Sequence, residues 1–370
     1  MLQTILPILD RPIRIALVGC GRISVNHIHA IAQHRQRAEL TAICDVNPEQ
    51  LERAAQLIGE CAADESAAPA SPARFSSYSA LLRAVRDGHL AVDLVVLTTP
   101  SGLHAAQTIA AAQTGLHVCT EKPMATRWTD GKAMVRACDE AGVHLFVVKQ
   151  NRFNSTLQLV RRQLQAGRFG RLAMVAVTVF WQRPQSYYDQ AAWRGTWEFD
   201  GGALMNQASH YVDLLDWLVG PVESVSASIA TLGRMIEVED TAALQLRWRS
   251  GALGTMAVTM LTYPRNLEAT ITLLGERGTV RIGGPAVNRI EHWMFADTSS
   301  DDAEVEKASY ETTSAYGFGH PLYYANLFDT LQGTAQASCD GRDGLRSLEL
   351  LSAAYRSSRD GHRVHLPLDW

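Results

Sequence analysis

The sequence predicts an α/β chain of two domains: a doubly wound parallel sheet over residues 1–150, then an α+β domain with a large open, mainly antiparallel sheet over 151–370. Three observations carry this. At 370 residues the chain is too long for one ordinary core. Its first part alternates short, continuously apolar runs with helical patterns. Beyond residue 151, strand-like runs follow one another with little helix between them.

In the first part Ile13 to Val18, Leu40 to Cys44, Asp93 to Leu97, His117 to Cys119 and His144 to Val148 read as strands buried on both faces, because their apolar residues do not alternate. Helical stretches separate them at Ser24 to His34, Pro48 to Leu57, Leu103 to Gln113 and Thr129 to Ala141. Residues 61–73 (CAADESAAPASPA) interrupt the rhythm and read as a surface loop. The second part offers strands at Leu172 to Trp181, Val222 to Ile229, Asp240 to Trp248, Leu253 to Leu261, Leu267 to Leu274 and Thr279 to Ile282. Gly275-Glu276-Arg277-Gly278 reads as the hairpin loop between the last two. Helices are expected on one face of this sheet. The other face is expected to pair with a second copy, since a wide apolar sheet face is seldom left in water. The chain should therefore be a homo-oligomer, dimer or tetramer, through its C-terminal sheet.

Hydrophobic residues make up 46% of the chain and charged residues 19%, the balance of an ordinary globular protein. A net charge of -4 lacks the basic excess of a nucleic-acid binder and points to a small-molecule partner. The six cysteines form no CxxC pair and read as buried thiols of a reducing cytoplasm. The N-terminus has no signal-peptide pattern, and no apolar run reaches the ~20 residues of a membrane span. The histidines show no ligand pairing beyond chance neighbours such as His27 and His29, so no metal is expected.

Gly19-Cys20-Gly21-Arg22-Ile23-Ser24 follows the first strand at once and opens a helix. The first glycine permits a tight turn, the second lets backbone N–H groups approach a pyrophosphate, and the helix N-terminus adds orphan donors. Ser24 takes the place of the third glycine and is small enough for close packing. Asp45 ends the second strand, 24 residues after Gly21, where a ribose-binding acid is expected. A carboxylate there accepts from both ribose hydroxyls and repels a 2′-phosphate, which favours NAD. Thr98-Thr99-Pro100-Ser101 lies at a strand terminus, where ligands of open α/β sheets bind. His104, just beyond, is either a cofactor contact or a local helix cap.

Thr120-Glu121-Lys122-Pro123 closes another strand. A lysine there can donate to a substrate oxygen, or pass a proton, as hydride leaves carbon; the alternative is a solvated lysine. Downstream, Gly201-Gly202 precedes an apparent amphipathic helix in which Asn206 and His210 are i, i+4 and share a face. Asp213, three residues on, is placed to orient His210. A helical histidine is either structural or a base.

The segments GCGRIS, TTPSGLHA, EKPMA and GG…H..D, in this order and spacing, resemble the glucose–fructose oxidoreductase / inositol dehydrogenase / MocA-like family over essentially the whole chain. The resemblance implies proton transfer by Lys122 and His210 with hydride passing to nicotinamide. Many members have aspartate where Asn206 stands, so the proton-accepting role rests on His210, with Asn206 as a substrate hydrogen-bonding group. Longer stretches, among them TEKPMATRW and WRGTWEFDGGALMNQASHYVDLLDWL, are similar to a branch of that family that oxidises the C3 hydroxyl of a UDP-linked N-acetylglucosaminuronate in bacterial surface-polysaccharide biosynthesis, upstream of an aminotransferase.

On that resemblance the cofactor is NAD, with Gly19, Gly21, Arg22, Ile23, Asp45, Thr99, Pro100, Ser101, His104, Glu121, Lys122, Gln150, Trp193 and Arg194 as its candidate contacts. A UDP-uronate carries a pyrophosphate and a carboxylate, so its cleft needs cations and amide donors. Asn206, Lys149, Asn151, Arg152 and Arg183 are the candidates, because arginine forks suit both anions; surface ion pairing is the alternative for each arginine. Trp193 has packing as its alternative role, and Trp197 reads as packing. Tyr316, His320 and Tyr323 fall in or beside a glycine-rich loop suited to closing over a nucleotide.

Overall fold

Apolar runs without alternation build the first sheet. Strands β1 (Ile13–Val18), β2 (Ala38–Cys44), β3 (Ala73–Phe75), β4 (Leu94–Leu97), β5 (His117–Thr120) and β6 (Leu145–Val147) are all parallel, in the order β3-β2-β1-β4-β5-β6. All of β4 is buried, as a strand covered on both faces must be. Helices α1 (Ser24–Ala32), α2 (Pro48–Ala62), α3 (Tyr78–Arg86), α4 (His104–Gln113) and α5 (Trp128–Ala141) link these strands. The strand order reverses between β1 and β4, so the carboxyl ends of these two strands mark the ligand-binding edge.

The computed structural model describes residues 5–62, 71–312 and 317–368. Residues 63–70 of the expected loop lie outside these; Cys61 and Ala62 finish α2, and Ala73 starts β3. The chain divides into two units, Met1–Val148 with His320–Leu345, and Lys149–Gly319 with Arg346–Trp370. The segment 320–345, placed in the second part by a division at 150, belongs to the first unit. In it His34 hydrogen-bonds the Pro321 carbonyl at 2.8 Å, and Phe328 packs edge-on against His34 with ring centres 5.6 Å apart.

The second unit holds an eight-stranded sheet of β7 (Leu172–Phe180), β8 (Val222–Ala230), β9 (Thr241–Trp248), β10 (Leu253–Thr259), β11 (Glu268–Gly275), β12 (Gly278–Gly283), β13 (Arg289–Phe295) and β14 (Val364–His365). Its order is β13-β12-β11-β7-β10-β9-β8-β14, antiparallel except for the central β7–β10 pair. The six strands expected from patterning are present and the 275–278 hairpin joins β11 to β12. β13 was not expected, since RIEHWMF shows neither an apolar run nor clean alternation. The helices α6 (Ser155–Gln165), α7 (Gln185–Tyr188), α8 (Ser209–Val219), α9 (Val305–Ala308), α10 (Gly319–Leu331) and α11 (Gly341–Asp360) complete the described elements. Along β9, Ala242, Leu244, Leu246 and Trp248 are buried while Ala243, Gln245 and Arg247 are exposed, so one sheet face meets the core and the other meets solvent.

Between β8 and β9 lies Glu239, buried in the second unit. Its Oε1 accepts from the Leu204 amide at 2.8 Å and the Tyr355 hydroxyl at 2.9 Å. Burial pushes this carboxyl up to about 7 in spite of those bonds. With its folded pKa above the unfolded value, Glu239 costs nothing below about pH 4.5; from there to about pH 7 the unfolded chain gives up this proton while the fold retains it, so stability falls as pH rises and the loss levels off above 7. Glu239→Gln should flatten this fall: urea melts at pH 5 and pH 8 should differ less for the variant than for the parent. An equal difference in both proteins counts against the assignment. Phe328→Ala should cost about 3–5 kcal/mol, the range for emptying a fully buried aromatic site. Hydrogen exchange should then accelerate in β1 and β4; protection unchanged there would separate segment 320–345 from the first unit.

Candidate active site

At the end of β1, Gly19 has φ +91°, and a Cβ on it would lie 2.7 Å from the Thr98 carbonyl carbon. No other residue type passes so close to the neighbouring strand. A Cβ on Gly21 would meet nothing within 4 Å, so this part of the turn faces open space. Ser24 is buried and donates to the Gly21 carbonyl at 2.6 Å, which ties the turn to α1. No side chain caps α1, so its first-turn N–H groups have no side-chain acceptor there. Asp45 Oδ2 accepts from the Cys20 amide at 2.6 Å and Oδ1 from the Asn47 amide at 2.8 Å. Each carboxylate oxygen has room for a second donor. Open turn, uncapped helix and carboxylate fit a dinucleotide's pyrophosphate and ribose. Arg22 is exposed beside them and Ile23 half-buried.

Beyond β4 the Thr99 hydroxyl donates to Gln107 Oε1 at 2.6 Å, and Pro100 and Ser101 begin a short 3-10 turn. His104 is buried with both ring nitrogens on carbonyls, Nδ1 at 3.0 Å from Pro123 O and Nε2 at 2.9 Å from Thr99 O. Neither nitrogen is left for a cofactor. The ring braces the ends of β4 and β5, which corrects the expectation of a direct contact. Burial lowers its pKa.

Glu121 is likewise corrected. Its Oε1 faces His27 Nε2 at 3.0 Å, its Oε2 accepts from the Lys122 amide at 3.0 Å, and His27 Nδ1 meets the Tyr324 hydroxyl at 2.7 Å. Burial would raise its pKa, but the His27 bond and charge, with Lys122 and His320, bring it down to about 2. This carboxylate is a brace for the Lys122 turn. The ligand atoms of His27, Glu121 and His320 lie within 4.8 Å of one another, a grouping the sequence did not anticipate because its members are far apart in the chain. His320 and Tyr323 sit buried on α10, with Tyr323 OH 3.3 Å from Cys119 Sγ, so they are core of the first unit rather than a closing loop. Tyr316 lies outside the described residues.

In the second unit Asp213 is 2% exposed. Arg152 grips it with Nε on Oδ2 and Nη2 on Oδ1, both at 2.7 Å. Lys149 Nζ stands 3.4 Å from Oδ1, and Ser347 donates to that oxygen at 2.9 Å. Burial opposes ionisation of Asp213, yet the Lys149 and Arg152 charges and these bonds hold the carboxyl far below its usual range. Lys149 and Arg152 were expected to meet substrate anions. At 3% exposure each, both instead neutralise Asp213, and Asp213 is engaged with them rather than orienting His210. His210 meets Gln150, whose Nε2 lies 3.1 Å from His210 Nε2. Gln150 thus reaches the histidine, a partner the sequence did not suggest for it. Asn151 is buried beside it, with its Oδ1 unbonded.

Asn206 and His210 do not share one α-helix. Residues Ala203–Gln207 form a π-turn and α8 starts at Ser209. Asn206 Nδ2 donates to Asp200 Oδ1. Trp193, half-buried, and Arg194 belong to a cationic ladder. The Arg194 guanidinium lies 4.7 Å from the Trp193 ring and 4.5 Å from the Tyr187 ring, and Arg183 lies 5.1 Å from Trp181 and 5.6 Å from Tyr187. Trp197, expected to pack, is half exposed with its ring edge-on to Tyr355. Ser347, Asp200 and Glu239 escaped sequence reading. Their partners lie elsewhere in the chain or show no local motif.

Residues 13–149 match the NAD-binding Rossmann fold of the GFO/IDH/MocA oxidoreductase family, and residues 161–366 match its C-terminal alpha/beta domain. The chain is 62% identical to the WlbA dehydrogenase of Bordetella pertussis, solved with NADH and UDP-GlcNAcA, with a TM-score of 0.91 over 98% of this chain and 100% of that one. It is 57% identical to the corresponding protein of Chromobacterium violaceum, solved with the same two ligands, with a TM-score of 0.90 over 98% and 99%. A D-apiose dehydrogenase from Paraburkholderia graminis is 27% identical over 95% of this chain and 89% of its own length. Among the described residues no helix is long and apolar enough to cross a membrane. The chain belongs to the GFO/IDH/MocA family and is an NAD-dependent sugar oxidoreductase acting on a CH–OH group.

Proposed function

We propose that the protein oxidises the C3 hydroxyl of UDP-N-acetylglucosaminuronate to the 3-keto sugar. One observation carries the reading: 62% identity across 98% of the chain to a dehydrogenase whose structure holds NADH and UDP-GlcNAcA. Bound NAD supplies the hydride acceptor. Gly19, Gly21, Arg22, Ile23 and Asp45 hold its pyrophosphate and adenosine ribose, with Thr99, Pro100, Ser101, Trp193 and Arg194 as further contacts. His210 takes the hydroxyl proton on a ring nitrogen. Lys122 stabilises the developing alkoxide by its charge. Electrostatic attraction couples Glu121 to Lys122, which suits Lys122 to donation and leaves the base role to His210.

Arg183, Asn206 and Asn151 bind the sugar nucleotide. Lys149 and Arg152, buried and paired with Asp213, leave one net positive charge behind the site and act there through position rather than by direct contact. In the ladder of Arg183 and Arg194 the guanidinium faces lie over rings, while Arg194 Nη1 donates to the Tyr187 hydroxyl and Arg183 Nη1 to the Gln182 carbonyl, both at 2.7 Å; the two positive charges held side by side suit phosphate and carboxylate. The 3-keto product needs an amino donor and an aminotransferase to become a 2,3-diamino uronic acid for a bacterial surface polysaccharide. That chemistry belongs in the cytoplasm.

The working form is a homo-oligomer joined by the solvent face of the eight-stranded sheet. Met294, Thr279, Leu274, Met174, Leu253 and Arg247 stand in register across β13, β12, β11, β7, β10 and β9. Met294, Leu274, Met174 and Leu253 are all exposed, an apolar row that a second copy would cover. Met174→Glu combined with Leu253→Glu should move the sedimenting species to monomer; an unshifted oligomer rejects this face.

NAD reduction at 340 nm, with an aminotransferase and amino donor pulling the equilibrium, tests the substrate. Turnover is expected with UDP-N-acetylglucosaminuronate and not with myo-inositol or free aldoses; turnover confined to a free sugar overturns the nucleotide-sugar assignment. Lys122→Ala and His210→Ala should each lower kcat by at least ~100-fold, the low end for a general acid–base group, with NAD affinity nearly unchanged. Near-normal turnover in either variant removes that residue from the mechanism.

A further inference from the structure

We propose that Gln150 is the positioning residue of His210, and that Asp213 serves the same end by holding the turn on which Gln150 stands. The inference rests on the reading of His210 as the base. Two side-chain contacts and two stretches of backbone close a ring. His210 and Asp213 are one turn apart on α8. Asp213 is gripped by both arms of the Arg152 guanidinium. Arg152 lies on the same 3-10 turn as Gln150, Gln150–Phe153. The Gln150 amide returns to His210 at 3.1 Å. Each member is therefore fixed through the others.

The turn has little freedom to leave this geometry. Gln150 is 2% exposed, and a Cβ on Gly319 would lie 2.0 Å from the Gln150 carbonyl oxygen, so the chain at 319 presses directly on the turn. Lys149 binds Asp213 and Ser347 from the residue before it. After it, Asn154 Nδ2 donates to the Ala286 carbonyl at 2.8 Å.

The chemistry of the partner matters as much as its position. With Gln150 Nε2 donating, the His210 Nε2 lone pair is taken up and the proton of the neutral ring sits on Nδ1, so in this arrangement the imidazole is parked rather than ready to take a proton. Gln150 Oε1 is buried without a partner. With the amide turned over, that oxygen accepts from Nε2–H and makes Nδ1 the nitrogen that takes the substrate proton, and the same bond persists in the imidazolium. The same side chain can serve both states of a base, and as a neutral group it does not hold the proton there as a carboxylate would. The charged groups nearby are already paired. On α8 itself Asp213 meets Lys149 and Arg152, and Asp216 meets Arg346 of α11 at 2.9 Å.

The test uses the whole enzyme with NAD and the UDP-uronate, reading kcat, KM and the pH dependence of kcat/KM. Gln150→Leu should lower kcat ~10–100-fold with KM within about threefold, since the substrate still binds while the base is misaligned. Gln150→Glu should raise the acid-limb pKa by about one unit or more, because a carboxylate at hydrogen-bond distance favours the imidazolium. Gln150→Asn, a shorter amide, should fall between Gln150→Leu and the parent. His210→Gln separates the two levels of the argument. An acid limb that persists in His210→Gln dismisses the base assignment itself. A limb lost in His210→Gln but unmoved in Gln150→Glu, with wild-type kcat in Gln150→Leu, dismisses only the role given to Gln150.

Discussion

The buried carboxylate of Asp213 is the constraint on which the second unit's functional end depends. An ionised group so far from water persists only when other charges and hydrogen bonds surround it. Arg152, Lys149 and Ser347 meet that requirement, and in doing so they bring together the 149–153 turn, α8 and α11. Removing one partner of such a pair typically costs about 3–5 kcal/mol, because the others are left buried and uncompensated. The cluster therefore fixes relative positions more than it adds net stability, and position is what a proton-transferring histidine on α8 needs.

The first unit uses a buried carboxylate in a related but more direct way. Glu121 precedes Lys122 and accepts from its backbone amide, while its other oxygen engages His27 of α1. The helix below the glycine turn and the turn bearing Lys122 are thus joined through one side chain. His104 adds a second brace, wedged between the carbonyls of Thr99 and Pro123 on the two neighbouring strand ends, with its one N–H donated to either. Lys122 owes its setting to residues that are themselves buried and occupied.

Sequence patterning revealed the fold where periodicity is strong and local. The β1–β2 and β4–β6 runs, the glycine turn and the six long strands of the second sheet all have signals in their own residues, and Asp45 follows the turn at a set spacing of 24. β3 is three residues beside an Ala/Ser/Pro stretch, and β13 carries charges that mask its alternation. The pairing of segment 320–345 with the first unit had no local sign, since its contacts with α1 and β5 join residues 297 and 204 positions apart.

The errors at the site share one cause. Residue type indicated what Lys149, Arg152, Glu121 and His104 could bind, but not what already bound them. Arg152 is as good a fork for a buried aspartate as for a phosphate, and the aspartate that claims it stands 61 positions downstream. Asp213 looked like the orienter of His210 from helical spacing alone, because spacing reports neighbours on one helix and nothing of the turn that packs against it. Gln150 stood among the expected cofactor contacts, and nothing in the sequence joined it to His210. Its function follows from the ring of contacts that delivers it to His210, and that ring exists only once the chain has folded.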